Sequence, residues 1–181
     1  MNLPSFEPGT IWITGITASG KTTLGQSLFE CLVENGVHPL EILDGDELRK
    51  CLDKRYGHSL EDRQIVLEKI VEMAKEKNKK GITIIVSTVS HKKAMREFAR
   101  SQISNFMEVY LDCDPETCEV RDYKGLYKLA KSGEYNLFPG VTEAYELSNS
   151  PELTLKTDHL TIEECARILY QEVILFLRMP V

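Results

Sequence analysis

The stretch Gly15-Ile16-Thr17-Ala18-Ser19-Gly20-Lys21-Thr22 decides the fold, because it fits the pattern G-x-x-x-x-G-K-[ST]. The run before it, Thr10 to Thr14, is rich in residues that favour strands. Apolar residues at the spacing of one helical face follow it: Leu24, Leu28, Cys31 and Leu32. A strand, a glycine-rich loop and a helix in this order place backbone N–H groups and a helix N-terminus around a phosphate. The stretch therefore predicts a nucleoside triphosphate site.

Each residue type in this loop suits the phosphates of ATP. The glycines let the backbone curl so that successive N–H groups face a phosphate, and Lys21 supplies a positive charge for the β and γ phosphates. The hydroxyl of Thr22 is a predicted ligand of Mg²⁺. The predicted ATP-binding residues in this segment are Gly15, Ile16, Thr17, Ala18, Ser19, Gly20, Lys21, Thr22 and Thr23.

Two carboxylates follow the second predicted strand, Leu40 to Leu43, in the sequence Asp44-Gly45-Asp46. They are expected at the carboxyl edge of the sheet, close to the phosphates. One can hold Mg²⁺, directly or through water, and we assign this role to Asp44 with Thr22. The other can accept a proton from an attacking hydroxyl or align it. The sequence leaves open which acid is the base, and the alternative is an Asp-Gly turn with Asp46 capping the next helix.

Strands and helices alternate along the whole chain, which predicts a three-layer α/β fold with a central five-stranded parallel sheet. Apolar runs predict three further strands: Ile82 to Val86, Phe106 to Leu111, and Leu153 to Leu155. Capping boxes predict helices that begin at Ser59 with Asp62 and at Thr161 with Glu164. The last helix is predicted to bury one face, formed by Ile162, Ala166, Leu169, Val173 and Phe176.

Length and composition indicate a single domain spanning residues 1–181, since no linker interrupts the 181 residues. The net charge of -6 has the wrong sign for general binding to nucleic acid or an anionic membrane. No apolar run approaches the roughly 18 residues of a membrane span. Five scattered cysteines favour reduced thiols over a disulfide framework. The first eight residues lack the pattern of a secretion signal, so a cytoplasmic location is expected.

Residues 121–150 interrupt the alternation, because they are rich in Lys, Gly and Tyr and too long for an ordinary connection. We interpret them as a candidate lid. Lys124, Lys128 and Lys131 are predicted to lie near one another on a helical face.

Together with the phosphate loop, several motifs resemble the adenylylsulfate kinases over nearly the whole chain. They are Asp44-Gly45-Asp46 with Arg49, Asp62-Arg63, the run from Arg121 to Lys128, Phe138-Pro139-Gly140-Val141, Tyr145-Glu146 and Pro151-Glu152-Leu153. The resemblance implies a P-loop kinase fold with a mobile lid. It implies transfer of the γ-phosphoryl group of MgATP to the 3′-hydroxyl of adenosine 5′-phosphosulfate, as in sulfate assimilation. ATP and Mg²⁺ are the implied cofactors, and a homodimer is an implied assembly.

The resemblance also implies roles for individual residues. Arg49 and Arg63 would hold the phosphosulfate of the acceptor, Phe138 would stack on its base, and Arg121 would lie over the adenine of ATP. Ser90 matches a family serine that is sometimes phosphorylated, and we assign it to acceptor binding before a nucleophilic role. The implied catalytic residues are Lys21, Asp44, Asp46 and Ser90. The implied acceptor-binding residues are Asp46, Arg49, His58, Arg63, Val66, Val89, Ser90, Lys124, Leu126 and Phe138.

Departures from the family pattern fall mainly on the acceptor side. They are His58 for Phe, Val66 for Asn, His91 for Pro, Tyr123 for Pro, Leu129 for Lys and Pro139 for Thr. Two alternatives therefore stay open. The first is the same reaction on another 5′-modified nucleotide, such as cytidine diphosphoramidate in polysaccharide modification. The second is a nucleotide-binding regulator without turnover, against which the retained acid pair argues.

Overall fold

The computed structural model describes residues 6–52, 55–135 and 137–177. Residues 1–5, on which part of the expectation about a targeting segment rests, lie outside the described residues, as does residue 136 of the predicted lid. In the described part of the chain, no helix combines the length and the apolar character that crossing a membrane requires.

The centre of the molecule is a sheet of five parallel strands, as predicted. The strands are β1 (Thr10–Thr14), β2 (Leu40–Asp44), β3 (Thr83–Ser87), β4 (Phe106–Asp112) and β5 (Leu153–Lys156). Their order across the sheet is β2-β3-β1-β4-β5, and every neighbouring pair is parallel. Strand β3 begins one residue later than predicted, because the N–H of Ile82 still bonds to the carbonyl of Lys77 in the preceding helix.

Seven helices among the described residues connect the strands. They are α1 (Lys21–Glu34), α2 (Gly45–Cys51), α3 (Leu60–Lys79), α4 (Lys93–Gln102), α5 (Pro115–Arg121), α6 (Leu126–Lys131) and α7 (Ile162–Leu177). Successive residues of β1 face opposite sides of the sheet. Ile11 and Ile13 belong to the core with α1 and α7, whereas Trp12 belongs to the core with α3 and α4. Both faces of the sheet are therefore covered, which explains the continuous apolar runs in β1 and β3.

The two predicted capping boxes differ in completeness. At the start of α7, the N–H of Glu164 bonds to the Thr161 hydroxyl at 3.2 Å and the N–H of Thr161 bonds to the Glu164 carboxylate at 2.9 Å. At the start of α3, the Ser59 hydroxyl accepts from the N–H of Asp62 at 3.1 Å. The Asp62 carboxylate, one methylene shorter than that of Glu, instead accepts from the N–H of Gly57 at 2.8 Å. The second box is thus only half formed.

Two further predictions about helix faces were correct only in part. The buried row of α7 is Cys165, Leu169, Val173 and Leu177. Ile162, predicted to be buried, is 54% exposed, because the buried row follows the i, i+4 spacing that starts at Cys165. The three lid lysines do not all share one helical face: Lys128 and Lys131 lie three residues apart in α6, whereas Lys124 precedes the helix.

Candidate active site

The loop between β1 and α1 is shaped for a phosphate. Gly20 has a φ of +104°, in the left-handed region that favours glycine. At Gly15, a side-chain Cβ would lie 2.7 Å from the Ser19 hydroxyl and 2.8 Å from the carbonyl oxygen of Leu111, so only glycine fits. The hydroxyl of Thr157 donates to the carbonyl of Ser19 at 2.9 Å and buttresses the loop. The turn therefore places the loop backbone against the N-terminus of α1.

Lys21, the first residue of α1, folds back over this loop. Its ammonium group donates to the carbonyl of Ile16 at 2.7 Å. Burial lowers the pKa of Lys21 to about 8, although the carboxylates of Asp46 and Asp44 raise it in part. A desolvated ammonium held near a loop of backbone N–H groups is suited to bind phosphate oxygens, which stabilise its charged form.

Thr22 and Asp44 meet at the carboxyl edge of the sheet. The Thr22 hydroxyl donates to Oδ2 of Asp44 at 2.8 Å. The other carboxylate oxygen of Asp44 accepts from the N–H groups of Asp46 at 2.9 Å and Glu47 at 3.3 Å, which caps α2. The alternative of an Asp-Gly turn predicted Asp46 as the cap of α2, but the capping residue is Asp44. This leaves the side chain of Asp46 in the first turn of α2 available to a ligand.

The donor set formed by Thr22 and Asp44 fits Mg²⁺. This ion is typically held by one or two carboxylates together with substrate phosphates and water, rather than by a cage of protein ligands. In the described ranges, no group of three or more His, Cys, Asp or Glu side chains could hold a metal ion. A hydroxyl and a carboxylate beside a phosphate loop provide the oxygen ligands that the ion prefers.

Asp46 faces the space between the phosphate loop and the predicted lid. Its carboxylate is 64% exposed and lies 4.0 Å from the ammonium group of Lys124. At this separation and exposure the pair contributes little to stability. The carboxylate can therefore exchange this partner for a ligand hydroxyl.

Two arginines form the opposite end of the site. Arg49 donates to the carbonyl of Gly57, and Arg63 donates to the carbonyls of His58 at 2.9 Å and Leu137 at 3.2 Å. Burial and the neighbouring Arg49 lower the pKa of Arg63. The buried Nε of Arg49 has no hydrogen-bond partner in the described parts of the chain. Two adjacent guanidinium groups bonded to carbonyls are a site for an anion with several oxygens.

The aromatic residues at this end pack against one another. The ring of His58 lies 5.1 Å from that of Tyr135, and the ring of Phe138 contacts Tyr127 and Tyr135 edge-to-face at 4.9 and 5.7 Å. Phe138 is only 2% exposed, so in this conformation its faces are covered by protein. Burial, with Arg49 and Arg63 nearby, lowers the pKa of His58 to about 4, and the imidazole is neutral at pH 7.

Ser90 is held tightly in the loop after β3. It has a φ of +38° and is 7% exposed. Its hydroxyl accepts a hydrogen bond from the indole N–H of Trp12 at 3.1 Å, and its carbonyl accepts from Arg96. Next to it, the carbonyl of Val89 accepts from the Thr14 hydroxyl at 2.6 Å. These bonds fix the loop between the phosphate site and the arginines.

The lid region contacts both ends of the site. Arg121 donates to the carbonyl of Thr157 at 2.8 Å, and the Tyr127 hydroxyl donates to the carbonyl of Thr17 at 2.9 Å. Lys128 is exposed and does not line the main cavity, whereas Lys124 and Leu126 do.

One cavity of about 1040 Å³ joins these features. Its volume is at the upper end of the range for small-molecule sites, and it suits two nucleotides better than one. The predicted residues that line it are Thr17, Ala18, Ser19, Gly20, Lys21, Thr22, Thr23, Asp44, Asp46, Arg49, His58, Arg63, Val89, Arg121, Lys124, Leu126 and Phe138. Val66 and Ser90 instead line a smaller cavity of about 30 Å³, shared with Asp46, Arg49 and Arg63.

The large cavity also has lining residues that the sequence analysis did not assign to the site, among them Thr157 and Tyr135. Thr157 supports the phosphate loop and Arg121, and its position just after β5, at the carboxyl edge of the sheet, could have indicated it. Tyr135 lies in an irregular segment with no periodicity and no motif, so nothing in the sequence singled it out.

Comparisons with known proteins agree with this geometry. The family described as Adenylylsulphate kinase matches residues 7–156. An adenylyl-sulfate kinase of Rippkaea orientalis is 39% identical over 163 residues, which cover 90% of each chain. A probable adenylyl-sulfate kinase of Halalkalibacterium halodurans is 40% identical, over 88% of this chain and 80% of the relative.

Solved structures give the same result. The Mycobacterium tuberculosis APS kinase, determined in complex with AMPPNP and APS, superposes with a TM-score of 0.85 and 32% identity, over 93% of this chain and 98% of that one. A gluconokinase of Sinorhizobium meliloti shares only the fold, with a TM-score of 0.64 and 16% identity, over 94% of each chain. The match over most of the chain, in sequence and in structure, shows that the chain belongs to the adenylylsulfate kinase family.

Proposed function

We propose that this protein is an ATP-dependent kinase that transfers the γ-phosphoryl group of MgATP to the 3′-hydroxyl of adenosine 5′-phosphosulfate, giving 3′-phosphoadenylyl sulfate. The observation that carries the proposal is the single cavity that joins a phosphate loop to two arginines bonded to carbonyls, with Asp46 between them. Such a cavity suits two nucleotides placed end to end, one donating and one accepting a phosphoryl group.

On the donor side, the loop N–H groups and Lys21 bind the β and γ phosphates of ATP. Thr22 and Asp44 are the residues that would hold Mg²⁺, which neutralises developing charge on the phosphates when bound. Arg121, fixed by Thr157, lies where it can cover the adenine of ATP. The protein thereby contributes positioning and charge, the main requirements of phosphoryl transfer.

On the acceptor side, Arg49 and Arg63 bind the anionic 5′ group through their free donors. Asp46 accepts the hydrogen bond of the attacking hydroxyl and aligns it or takes its proton as transfer proceeds. The hydroxyl of Ser90 already accepts from Trp12, which supports a binding role over a nucleophilic one. Direct in-line transfer needs no phosphoserine.

Residues 121–150 act as the lid of a single kinase domain spanning residues 1–181. The position of Lys124, 4.0 Å from Asp46, supports this role, because lid closure would bring its charge to the transferred group. A homodimer is the assembly that the family resemblance implies, and light scattering of the purified protein tests it.

The test is ATP consumption by the purified protein with Mg²⁺ and adenylyl sulfate, with the product identified by mass. A kcat/KM above about 10⁴ M⁻¹s⁻¹, within the ordinary enzymatic range, supports the proposal. ATP consumption without a product that carries one added phosphoryl group on adenylyl sulfate contradicts it.

A second acceptor is favoured by two departures from the family pattern. Val66 places a buried apolar side chain in the small cavity where the family resemblance implies an amide, and His58 places a neutral imidazole where it implies a phenyl ring. Both changes alter contacts to the acceptor and leave the phosphate loop intact. The same assay with cytidine diphosphoramidate and other 5′-modified nucleotides decides between adenylyl sulfate and a second acceptor, since the true acceptor has the highest kcat/KM.

A further inference from the structure

The small cavity beside Ser90 contains more polar groups than the proposed roles use. Its volume of about 30 Å³ is enough for about two water molecules or one small polar group of a ligand. Asp46, Arg49, Arg63 and Ser90 line it, and so does His91, to which neither the motifs nor the proposed mechanism assign a role. His91 is also one of the departures from the family pattern, standing in place of a proline.

His91 is fully buried, and only one of its two ring nitrogens is paired. Nε2 lies 2.9 Å from a carboxylate oxygen of Glu143. Nδ1 is buried and has no hydrogen-bond partner in the described residues. The other oxygen of Glu143 is held by the ammonium group of Lys92 at 2.6 Å, which keeps the carboxylate in place.

This arrangement determines what Nδ1 can bind. Because a carboxylate only accepts hydrogen bonds, Nε2 carries the proton and donates it to Glu143. Burial lowers the pKa of His91, although Glu143 raises it in part, so the ring is neutral at pH 7. Nδ1 is therefore a lone-pair acceptor, and a buried acceptor without a partner is unfavourable until a donor reaches it.

We propose that Nδ1 of His91 binds the acceptor nucleotide by accepting a hydrogen bond from one of its N–H or O–H groups. The proposal rests on the proposed function, because it assumes that an acceptor nucleotide enters this cavity. Phosphate and sulfate oxygens of the acceptor carry no hydrogen at pH 7, so they bind Arg49 and Arg63 and not His91. The donor is a ribose hydroxyl, an amino group of the base, or an amide in the 5′ substituent.

Two substitutions at His91 distinguish the hydrogen-bonding roles of its two ring nitrogens. His91→Gln places an amide nitrogen where Nε2 lies, so that the bond to Glu143 is kept and the acceptor at Nδ1 is lost. His91→Asn places an amide oxygen where Nδ1 lies and loses the bond to Glu143. The matched control is Lys93→Met, which removes the ion pair of Lys93 with Glu97 at 3.5 Å and leaves His91, Lys92 and Glu143 unchanged.

Steady-state kinetics at saturating MgATP are measured for the wild type and the three variants, with melting temperatures. We expect His91→Gln to raise the KM for the acceptor about tenfold, equivalent to about 1.4 kcal/mol, with less than a twofold change in kcat and in the KM for ATP. His91→Asn should recover part of this loss, and Lys93→Met should match the wild type. An unchanged acceptor KM in His91→Gln, or an equal rise in Lys93→Met, overturns the proposal.

Three acceptors identify the donor: adenylyl sulfate, its 2′-deoxy analogue and adenosine diphosphoramidate. A KM effect of His91→Gln on adenylyl sulfate that disappears with the 2′-deoxy analogue assigns the ribose 2′-hydroxyl. An effect only on the phosphoramidate assigns the amide, and an equal effect on all three assigns the base or the 3′-hydroxyl. If the wild type phosphorylates the phosphoramidate and not adenylyl sulfate, the proposed acceptor is wrong. The effect of His91→Gln is then measured as the change in KM for the phosphoramidate. Absence of turnover with every acceptor overturns both proposals.

Discussion

The substitution Asp44→Asn separates the helix-capping role that the structure shows for this carboxylate from the metal-binding role proposed for it. One oxygen caps α2 by accepting from the N–H groups of Asp46 and Glu47, and the other accepts from the hydroxyl of Thr22. Asparagine is about as good an N-cap as aspartate, but it carries no charge for a metal ion. We therefore expect Asp44→Asn to keep the fold and to weaken the use of Mg²⁺.

The magnitudes follow from the two roles. Asp44→Ala loses the cap, which costs about 1 kcal/mol and lowers the melting temperature by about 2–4 °C in a chain of this size. Asp44→Asn should stay within about 1 °C of the wild type. Its kcat/KM should fall about 100-fold at 1 mM Mg²⁺, which corresponds to about 2.7 kcal/mol of transition-state stabilisation. Raising the Mg²⁺ concentration should recover part of this loss, because the site is weakened and not removed.

The assay is coupled ATP consumption with adenylyl sulfate over a series of Mg²⁺ concentrations, with thermal melts of the same preparations. The informative quantity is the midpoint of the Mg²⁺ dependence, which should move to higher concentration in Asp44→Asn. If Asp44→Asn has the wild-type midpoint and kcat/KM while Asp44→Ala melts early, Asp44 is only a helix cap. The metal site would then have to be sought elsewhere at the sheet edge.

Three further predictions concern the donor site, the acceptor site and the core. Burial lowers the pKa of Lys21 from 10.5 to about 8, so ATP binding should take up a proton above pH 8. ATP affinity measured by calorimetry should therefore fall between about pH 8 and 9.5. An ATP affinity that does not change with pH refutes this. Asp46→Ala should reduce kcat by at least about 100-fold and leave ATP affinity within about twofold, so equal turnover in the variant excludes the assigned role. Arg96→Met leaves the buried carboxylate of Glu108 without its partner at 3.1 Å. This variant should lower the free energy of unfolding, measured by urea titration, by about 3–5 kcal/mol. The double variant Arg96→Met with Glu108→Leu should recover much of the lost stability.

The sequence predicted the sheet well because the signals for its strands are local. A strand covered on both faces is a continuous apolar run, so β1, β3 and β4 could be placed within one residue of their observed bounds. The phosphate loop was equally readable, since its glycines are required by backbone geometry that no other residue adopts easily. The prediction of the apolar row of α7 was less accurate, because Ala166 and Phe176 flank the buried row and periodicity alone does not give its phase.

The part of the site that escaped prediction depends on contacts between distant residues. Arg96 looks like a surface residue of an amphipathic helix, yet it is 1% exposed, because its partners Glu108, Ser148 and the carbonyl of Ser90 come from three other segments. Its charge is offset only once the whole fold has formed. Tyr135 is a similar case, since only the packing of the lid region brings its ring to His58.

The charge of the chain and the charge of its cavity have opposite signs, and this difference makes binding of two polyanions physically reasonable. The whole chain carries a net charge of -6, whereas the large cavity is lined by six basic and four acidic side chains. A cleft with low-dielectric walls concentrates the field of its own charges, so a nucleotide is attracted there and repelled elsewhere on the surface. Asp44 and Asp46 are acids in that cavity, and each opposes anion binding unless it acts on something other than the phosphates. A metal ion at Asp44 and a hydroxyl at Asp46 are such partners, so the electrostatic argument that favours the two arginines as anion ligands also favours the roles proposed for Asp44 and Asp46.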